Sequence, residues 1–151
     1  MTITTQKEKF AHFMQEAETL FAKHYEEVAE RTDVIKLDPD WDQYLTLEKA
    51  NMLELHTLRD DKKIIGYSIW FLLYHIHCKQ SFTAMSDVLY IDPQYRKGMT
   101  GIKFLKWTTE EIKKRNPQRI TFHVKPHVDY GRILERLGAH FFEKTYTIVL
   151  E

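Results

Sequence analysis

Hydrophobic positions change their spacing near residue 52, and this change divides the chain into a helical part and a strand-rich part. Before it, largely apolar side chains recur every three or four residues, as they do along one face of a helix. This stripe consists of Phe10, Phe13, Met14, Ala17, Leu20, Phe21, His24 and Val28. Since Thr5 and Glu8 have capping-box spacing, the pattern predicts one long helix over roughly residues 6–31. A second helix is predicted where Asp40 caps Trp41 and the apolar positions up to Leu47, with Gln43 at the third position.

Beyond residue 52, the pattern is typical of strands separated by short turns. Leu53, Leu55 and Thr57 alternate with polar neighbours, and the turn-like residues 60–63 lead into a second strand over residues 64–77. That stretch is rich in the β-branched and aromatic residues that strands prefer. Residues 82–92 and residues 119–124 are predicted as further strands.

Helical spacing returns twice in the second half of the chain. An amphipathic helix follows Gly101 and is expected to end before Pro117, because the residue before a proline disfavours helical geometry. A short helix capped by Asp129 is predicted to end at Gly138 in the left-handed conformation, and residues 141–150 are predicted as one or two strands. This order indicates a mixed α/β (α+β) fold with one central sheet. We see no repeat or linker, so residues 1–151 are predicted to form a single domain.

Composition narrows the class of protein and of partner. Hydrophobic residues make up 43% and charged residues 29% of the 151 positions, which favours a folded domain over disorder. The 22 basic side chains equal the 22 acidic ones, so no bulk field attracts nucleic acid or a membrane surface. Cys78 is the single cysteine, which excludes an intrachain disulfide. The first residues lack the apolar core of a signal peptide, and we therefore expect a cytoplasmic protein that binds neither membrane nor nucleic acid.

Residues 87–105 suggest a ligand more directly than any other stretch. They comprise a predicted strand (residues 87–91), a proline-containing turn, a basic glycine-containing loop (residues 96–101) and the start of a helix. Such a loop leaves backbone N–H groups free at the positive end of the helix dipole, which suits phosphate. The candidate cradle is Arg96, Lys97, Gly98 and Gly101. The alternative is an ordinary strand-to-helix connection with solvated charges.

The surrounding residues add a family resemblance. The segment LYIDPQYRKGMTGIKFLKW resembles the acyl-CoA-binding segment of the GNAT (Gcn5-related N-acetyltransferase) superfamily, and ILERLGA resembles the short helix before its final strands. The long predicted N-terminal helix, the HIH strand and the D-x-L-Y strand look most like GNAT proteins encoded by phages and prophages. The resemblance implies a GNAT-like fold, a central mixed and mostly antiparallel sheet flanked by helices. It also implies acetyl-CoA as cofactor.

The resemblance assigns roles to particular positions. Backbone groups of Leu89, Tyr90 and Ile91 would meet the pantetheine arm at a gap between two strands. The pyrophosphate would lie on the loop formed by Arg96, Lys97, Gly98, Met99, Thr100 and Gly101. The acyl group would lie near Asp87 and residues 121–124, and His127 falls near a position that contacts the cofactor.

Two positions depart from the family pattern. Met99 stands where the family loop has its first glycine, with Gly98 displaced by one residue. Leu134 stands where the family often has a tyrosine that protonates the leaving thiolate, and leucine has no proton to donate. Tyr130 lies one helical turn earlier and could replace that tyrosine only if the helix is rotated.

Candidate titratable residues lie on three predicted elements. Asp87 is the leading candidate base, and a solvated strand residue is the alternative. His75 and His77 would share one strand face, where they could act as a base, bind an acidic substrate group or serve as structural histidines. They also have the spacing of a zinc pair, although Asp87 or His123 would have to supply a third ligand. His24 and Glu27 would line the acceptor pocket, unless His24 is simply a core residue.

Three functional hypotheses follow. The first is an acetyl-CoA-dependent N-acyltransferase acting on an amine of a small molecule or protein, with Asp87 and His77 assisting deprotonation through water. The second is a catalytically silent GNAT-like binding module of phage or prophage origin, which would reside in the host cytoplasm. The third is a metal-dependent hydrolase using His75 and His77. A homodimer is also among the expectations for a protein of this kind.

Overall fold

One five-stranded sheet organises the computed structural model, which describes residues 2–151. The strands are β1 (Ile3–Glu8), β2 (Leu53–Asp60), β3 (Lys63–His75), β4 (Cys78–Ile91) and β5 (Arg119–Phe122). They lie side by side in sequence order. The pairs from β1 to β4 are antiparallel, whereas β4 and β5 are parallel. The predicted mixed, mostly antiparallel sheet is therefore confirmed.

Helices cover both faces of this sheet. They are α1 (Phe10–Glu16), α2 (Glu18–Val28), α3 (Trp41–Lys49), α4 (Thr100–Lys113) and α5 (Gly131–Arg136). Aromatic and aliphatic side chains of α1, α2 and α3 form one core with β2, β3 and β4. On the opposite face α4 packs through Phe104 and Ile112 against two further groups of strand residues. Since both faces are covered, β2 and most of β3 are buried on both sides.

The predicted long N-terminal helix is wrong at its beginning, where residues 3–8 form β1 instead. The capping box is not used: Lys9 precedes α1, and the Glu8 carboxylate accepts hydrogen bonds from Thr57 (2.5 Å) and Arg59 (2.5 Å) on β2. A cap is a local signal of about 1 kcal/mol. Here the cap competes with six residue pairs between β1 and the edge of β2, and this long-range pairing prevails.

The remainder of that helix is broken at Ala17, which is fully buried. The break folds α1 and α2 around one ring, because Phe13 and Phe21 both contact Tyr67 of β3, with ring centroids 5.2 and 5.0 Å away. The small methyl group of Ala17 allows this close approach. Two short helices therefore replace the one long helix, and their apolar side chains still face the core.

Local signals at the helix ends are confirmed for Asp40 and Gly138, whereas Tyr130 and not Asp129 occupies the N-cap position of α5. Asp40 caps α3 by accepting a hydrogen bond from the Gln43 N–H at 2.9 Å. Asp129 accepts one from the Gly131 N–H at 2.7 Å, at the start of α5. Gly138 follows that helix with φ +95°, the left-handed geometry in which glycine is favoured.

Two strand predictions need correction. The strand predicted over residues 64–77 ends at His75, and a tight turn at Ile76 and His77 leads directly into β4. Residues 141–150 form no strand, because no backbone hydrogen bond joins them to another described segment. No helix among residues 2–151 is long and apolar enough to cross a membrane.

A buried polar chain joins α4 to the sheet. His56 Nε2 lies 3.0 Å from the Glu54 carboxylate, which can only accept, so this nitrogen donates and Nδ1 is left as an acceptor. Thr108 of α4 donates its hydroxyl proton to that Nδ1 and accepts from Trp70 Nε1 at 2.9 Å. Lys7 and Arg115 also bind Glu54. Burial opposes ionisation of the Glu54 carboxyl, but the hydrogen bonds from His56 and Lys7 lower its pKa to about 2.

We predict that Thr108→Val destabilises the fold, because it leaves the Trp70 N–H and His56 Nδ1 buried without a partner. The expected loss in free energy of unfolding is about 1–3 kcal/mol. The matched control is Thr109→Val on the same helix, whose hydroxyl bonds only the Leu105 carbonyl, and it should change stability by less than about 0.5 kcal/mol. Equal stability of the two variants in urea unfolding would contradict a structural role for this chain of bonds.

Candidate functional site

The parallel pair β4–β5 opens into a gap after four residue pairs. Pairing runs from Thr83 opposite Arg119 to Ser86 opposite Phe122, and β4 then continues to Ile91 paired with β3 only. A β-bulge lies at the branch point, because Trp70 pairs with Ser86 and Ile69 with Val88, which makes Asp87 the extra residue. Bulges bend a strand and increase its twist, so Asp87 marks the place where β4 turns away from β5.

Beyond the bulge, β4 directs backbone groups into this gap. The Asp92 N–H donates to the Ile65 carbonyl at 2.8 Å, so this N–H points toward β3. Peptide groups alternate along a strand, and those of Ile91 and Leu89 therefore point away from β3. The Ile91 carbonyl accepts from Arg96 Nε at 2.7 Å. The N–H and C=O of Leu89 face the gap without a strand partner among the described residues.

A row of free donors begins where α4 starts. The backbone N–H groups of residues 97–102 make no hydrogen bond to any part of the chain that the structure describes. No side chain caps α4, and no acidic residue lies in its first turn. Free N–H groups and the positive end of the helix dipole together favour an anion. The predicted phosphate loop thus has the donors that such a ligand needs.

The side chains of this loop leave its donors accessible. Gly98 has φ +66°, and a Cβ placed there would meet nothing within 4 Å. Met99 is 53% exposed, so its side chain points out toward solvent. At Gly101 a Cβ would make only an ordinary 3.7 Å contact with Ile91. The left-handed backbone of the turn therefore favours a glycine at 98, one position before the methionine that departs from the family pattern.

Arg96 is already paired within the protein. Its two terminal nitrogens contact both carboxylate oxygens of Glu27 on α2, at 2.7 and 2.6 Å. Its guanidinium also lies over the Tyr90 ring, 5.3 Å from the centroid. On the other side of the gap, His127 Nε2 lies 3.2 Å from the Glu27 carbonyl oxygen. Glu27 thus connects the segments that follow β4 and β5, and Arg96 is a support of the loop.

Asp87, His123 and Tyr130 lie where the two strands diverge. Asp87 remains open to solvent, yet the surrounding protein raises the pKa of its carboxyl by desolvation, and the nearby His123 partly offsets this. The Tyr130 hydroxyl lies 3.4 Å from the His123 carbonyl oxygen at the end of β5, and burial raises its pKa to about 12. Leu134, at the position of the family tyrosine, is buried.

His24 belongs to an aromatic cluster on the α2 side of the gap. Its Nδ1 lies 2.7 Å from the Tyr67 hydroxyl, and its ring stacks on Tyr90 with centroids 4.5 Å apart. Burial lowers the His24 pKa to about 4, Glu27 opposes this shift, and Arg96 adds to it. His24 is therefore neutral at pH 7.

Tyrosine hydroxyls extend this cluster toward Asp87. Burial raises the pKa of Tyr44 and of Tyr67, and the Asp87 charge adds to both shifts. Sequence reasoning missed Tyr67, although it stands on β3 directly opposite Tyr90. The two-residue alternation of β3 would have placed it on the face of the sheet that the stripe of the N-terminal helices covers.

The structure does not bring His75 and His77 to this site. Both are exposed at the turn between β3 and β4, and Asp87 lies nine residues further along β4 than Cys78, roughly 30 Å in an extended strand. They do not share a strand face, because His77 is in the turn and its N–H donates to His75 Nδ1 at 3.2 Å. Within residues 2–151, no three His, Cys, Asp or Glu side chains are placed to hold a metal ion.

Comparison with known proteins identifies the fold. No protein-family model matches the chain, and a search among curated proteins finds no match either. Solved structures match it over almost its whole length. A ribosomal-protein-alanine N-acetyltransferase from Brucella melitensis biovar Abortus 2308 has a TM-score of 0.72 at 16% identity, covering 99% of this chain and 100% of that one. This chain has the GNAT acetyltransferase fold.

Two further structures share this fold. An aminoglycoside acetyltransferase from an uncultured soil metagenomic sample has a TM-score of 0.73 at 15% identity, covering 99% of this chain and 97% of that one. A predicted acetyltransferase from Clostridium acetobutylicum, solved with acetyl-CoA, has a TM-score of 0.70 at 13% identity, with coverages of 98% and 96%. The names of these proteins cover acceptors of different classes, so the fold by itself does not identify a substrate.

We predict that His24 makes stability depend on pH. Because its pKa is about 4 in the folded protein and the ordinary histidine value is 6.5, the unfolded chain binds the proton first as pH falls. The contribution is complete above about pH 6.5 and is lost progressively toward pH 4. Relative to His24→Gln, the wild-type protein should lose about 1–3 kcal/mol over this range. Parallel pH profiles of the two proteins in urea unfolding would contradict the buried, neutral histidine.

Proposed function

We propose that this protein is an acetyl-CoA-dependent N-acyltransferase that acts on an amine of a small molecule or protein. One observation carries the proposal: the gap beside Leu89 leads to the free N–H groups of residues 97–102. A ligand that enters between β4 and β5 meets strand-like donors and acceptors first and an anion site next. This order matches acetyl-CoA, in which an amide-containing arm joins the thioester to a pyrophosphate.

The residues present fit this ligand. The pyrophosphate would be held by the backbone N–H groups of residues 97–102, with Lys97 as a nearby cation and open space beside Gly98. Arg96 would hold the loop in place through Glu27 rather than bind phosphate directly. An amide N–H of the arm would donate to the Leu89 carbonyl, which leaves the Leu89 N–H for the acyl group. The structural neighbour solved with acetyl-CoA supports this choice of ligand.

Acetyl-CoA supplies the activated acyl group, and the chain supplies proton transfer and polar stabilisation. Asp87 at the bulge is the candidate general base, and its raised pKa makes it a better proton acceptor than an ordinary aspartate. A bridging water would extend its reach to the amine. The N–H of Leu89 is a free donor of the kind that stabilises an acyl oxygen under attack.

Tyr130 is the candidate acid for the leaving thiolate. Its hydroxyl is protonated at neutral pH, because burial holds its pKa at about 12. It reaches the end of β5 from the start of α5, one helical turn before Leu134. The proton donor would thus come from a different turn of the helix than in the family pattern.

His24 and Glu27 would form the acceptor side of the site together with Tyr67. The neutral His24 and the tyrosine hydroxyls offer hydrogen bonds, while Asp87 offers the negative charge that a protonated amine approaches.

A catalytically silent binding module of phage or prophage origin is the second candidate, favoured by Leu134 and by the engagement of Arg96 with Glu27. Binding of acetyl-CoA without CoA release across a panel of amines would favour this module.

We predict that Gly98→Asp weakens acetyl-CoA binding at least tenfold, because it places a carboxylate beside the phosphate donors. Gly98→Asn is the matched control, since asparagine tolerates the same left-handed backbone and has the same shape without the charge. Isothermal titration calorimetry should show near wild-type affinity for the asparagine variant. If wild-type protein gives no saturable heat, or if both variants bind equally, the assigned phosphate site is wrong.

We predict that Asp87→Asn lowers kcat by about 10²- to 10⁴-fold while acetyl-CoA affinity stays unchanged, as expected for loss of a general base. The wild-type rate should fall as the solution is acidified through the raised pKa of Asp87, and the variant should lose this limb. Steady-state kinetics against an accepted amine measures both effects. An asparagine variant with full kcat would exclude Asp87 as the base.

A further inference from the structure

Two oppositely charged side chains on one face of α2 pair with the segment that follows β4. Lys23 and Glu27 are four residues apart, so they are neighbours along the helix. Lys23 Nζ lies 2.8 Å from the Asp92 carboxylate, and the Glu27 carboxylate binds Arg96. Asp92 and Arg96 stand immediately before and after the short helical turn of residues 93–95. We call these two ion pairs the α2 clamp.

Asp92 is built into the end of the sheet and is only 4% exposed. Its N–H donates to Ile65 of β3, and its carboxylate accepts the Gln94 N–H at 3.1 Å as well as the Lys23 ammonium. Burial raises the pKa of this carboxyl, but the hydrogen bonds from Lys23 and Gln94 outweigh burial and lower the pKa below its ordinary value. Lys23 is therefore the cationic partner of a buried carboxylate, a contact that is costly to lose.

The phosphate donors have no comparable anchor of their own. The N–H groups of residues 97–102 make no hydrogen bond within the described part of the chain, and residues 96–99 are exposed. On the α4 side, the first fully buried side chain is that of Phe104. A row of donors binds tightly when its geometry is set before the ligand arrives, because ordering a loop on binding costs affinity. The position of this row thus depends on α4 at one end and on the α2 clamp at the other.

We propose that Lys23 is a positioning residue for the cofactor: through Asp92 it holds the turn that precedes the phosphate donors. The inference rests on the proposed function, since it takes residues 97–102 as the pyrophosphate site. The order of charges gives the clamp one register, because a shift of α2 by one turn would bring Glu27 against Asp92. The Lys23 ammonium is already paired, so Lys23 acts through the geometry of the turn and not as a phosphate ligand.

Isothermal titration calorimetry with acetyl-CoA tests this role. Lys23→Met keeps a long side chain without its charge and should raise the dissociation constant about tenfold, because the loop must then be ordered on binding. Lys23→Arg keeps the ion pair and should bind nearly as wild type does. Lys36→Met is the matched control: it removes the same charge from the segment after α2, where Lys36 donates to the Thr32 carbonyl. This control should bind like wild type.

The outcomes separate the positioning role from the proposed function. If wild-type protein binds acetyl-CoA and Lys23→Met binds equally well, the positioning role is wrong and the proposed function stands. Equal weakening by Lys23→Met and Lys36→Met would show a general effect of charge and would also overturn the positioning role. A wild-type protein that gives no saturable binding would overturn both.

Steady-state kinetics distinguishes positioning from a general loss of structure. S-acetylpantetheine has the thioester and the amide arm but no pyrophosphate, so it makes no use of the donors at residues 97–102. Lys23→Met should raise KM for acetyl-CoA about tenfold with little change in kcat, as expected for a loss of ground-state and transition-state binding alike. It should leave kcat/KM for S-acetylpantetheine unchanged. An equal loss of kcat/KM with both thioesters would mean that Lys23 maintains the whole site, and this would refute the proposal.

Discussion

The early end of the β4–β5 pairing is the constraint on which the rest of the site depends. Had β5 followed β4 to Ile91, the peptide groups of Leu89 would be satisfied and no ligand could enter between the strands. The bulge at Asp87 provides the bend, and it also places a carboxylate at the branch point. Asp87 is therefore both the bulged residue, at which the gap opens, and the candidate base beside that gap.

Contacts made by Glu27 of α2 keep the gap open. Glu27 binds Arg96 through its carboxylate and His127 through its carbonyl, so α2 holds the segments after both strands. Because Glu27 neutralises the arginine, the positive potential at the start of α4 comes from its uncapped N–H groups. His24, held neutral by burial between Tyr67 and Tyr90, adds a hydrogen-bonding surface without adding charge.

Features that rest on neighbouring residues could be predicted from the sequence. The Asp40 cap, the glycine stop at Gly138 and the free donors at the start of α4 follow from local stereochemistry. Features that rest on distant partners could not. β1 forms because β2 offers an edge, the Asp87 bulge exists only relative to Trp70, and the Arg96–Glu27 pair joins residues that are 69 positions apart. Residues 141–150 have the composition of a strand, but they form a strand only where another strand lies beside them.

Amide hydrogen exchange with and without acetyl-CoA tests the central claim most directly, because it observes the proposed donors themselves. The amides of residues 97–102 and of Leu89 lack acceptors in the free protein and should exchange rapidly. Saturating acetyl-CoA should slow exchange at both places, while the N–H groups within the β2–β3 ladder stay unchanged. Unaltered exchange at residues 97–102 and at Leu89, under conditions where acetyl-CoA is bound, would contradict the gap and the α4 start as the cofactor site.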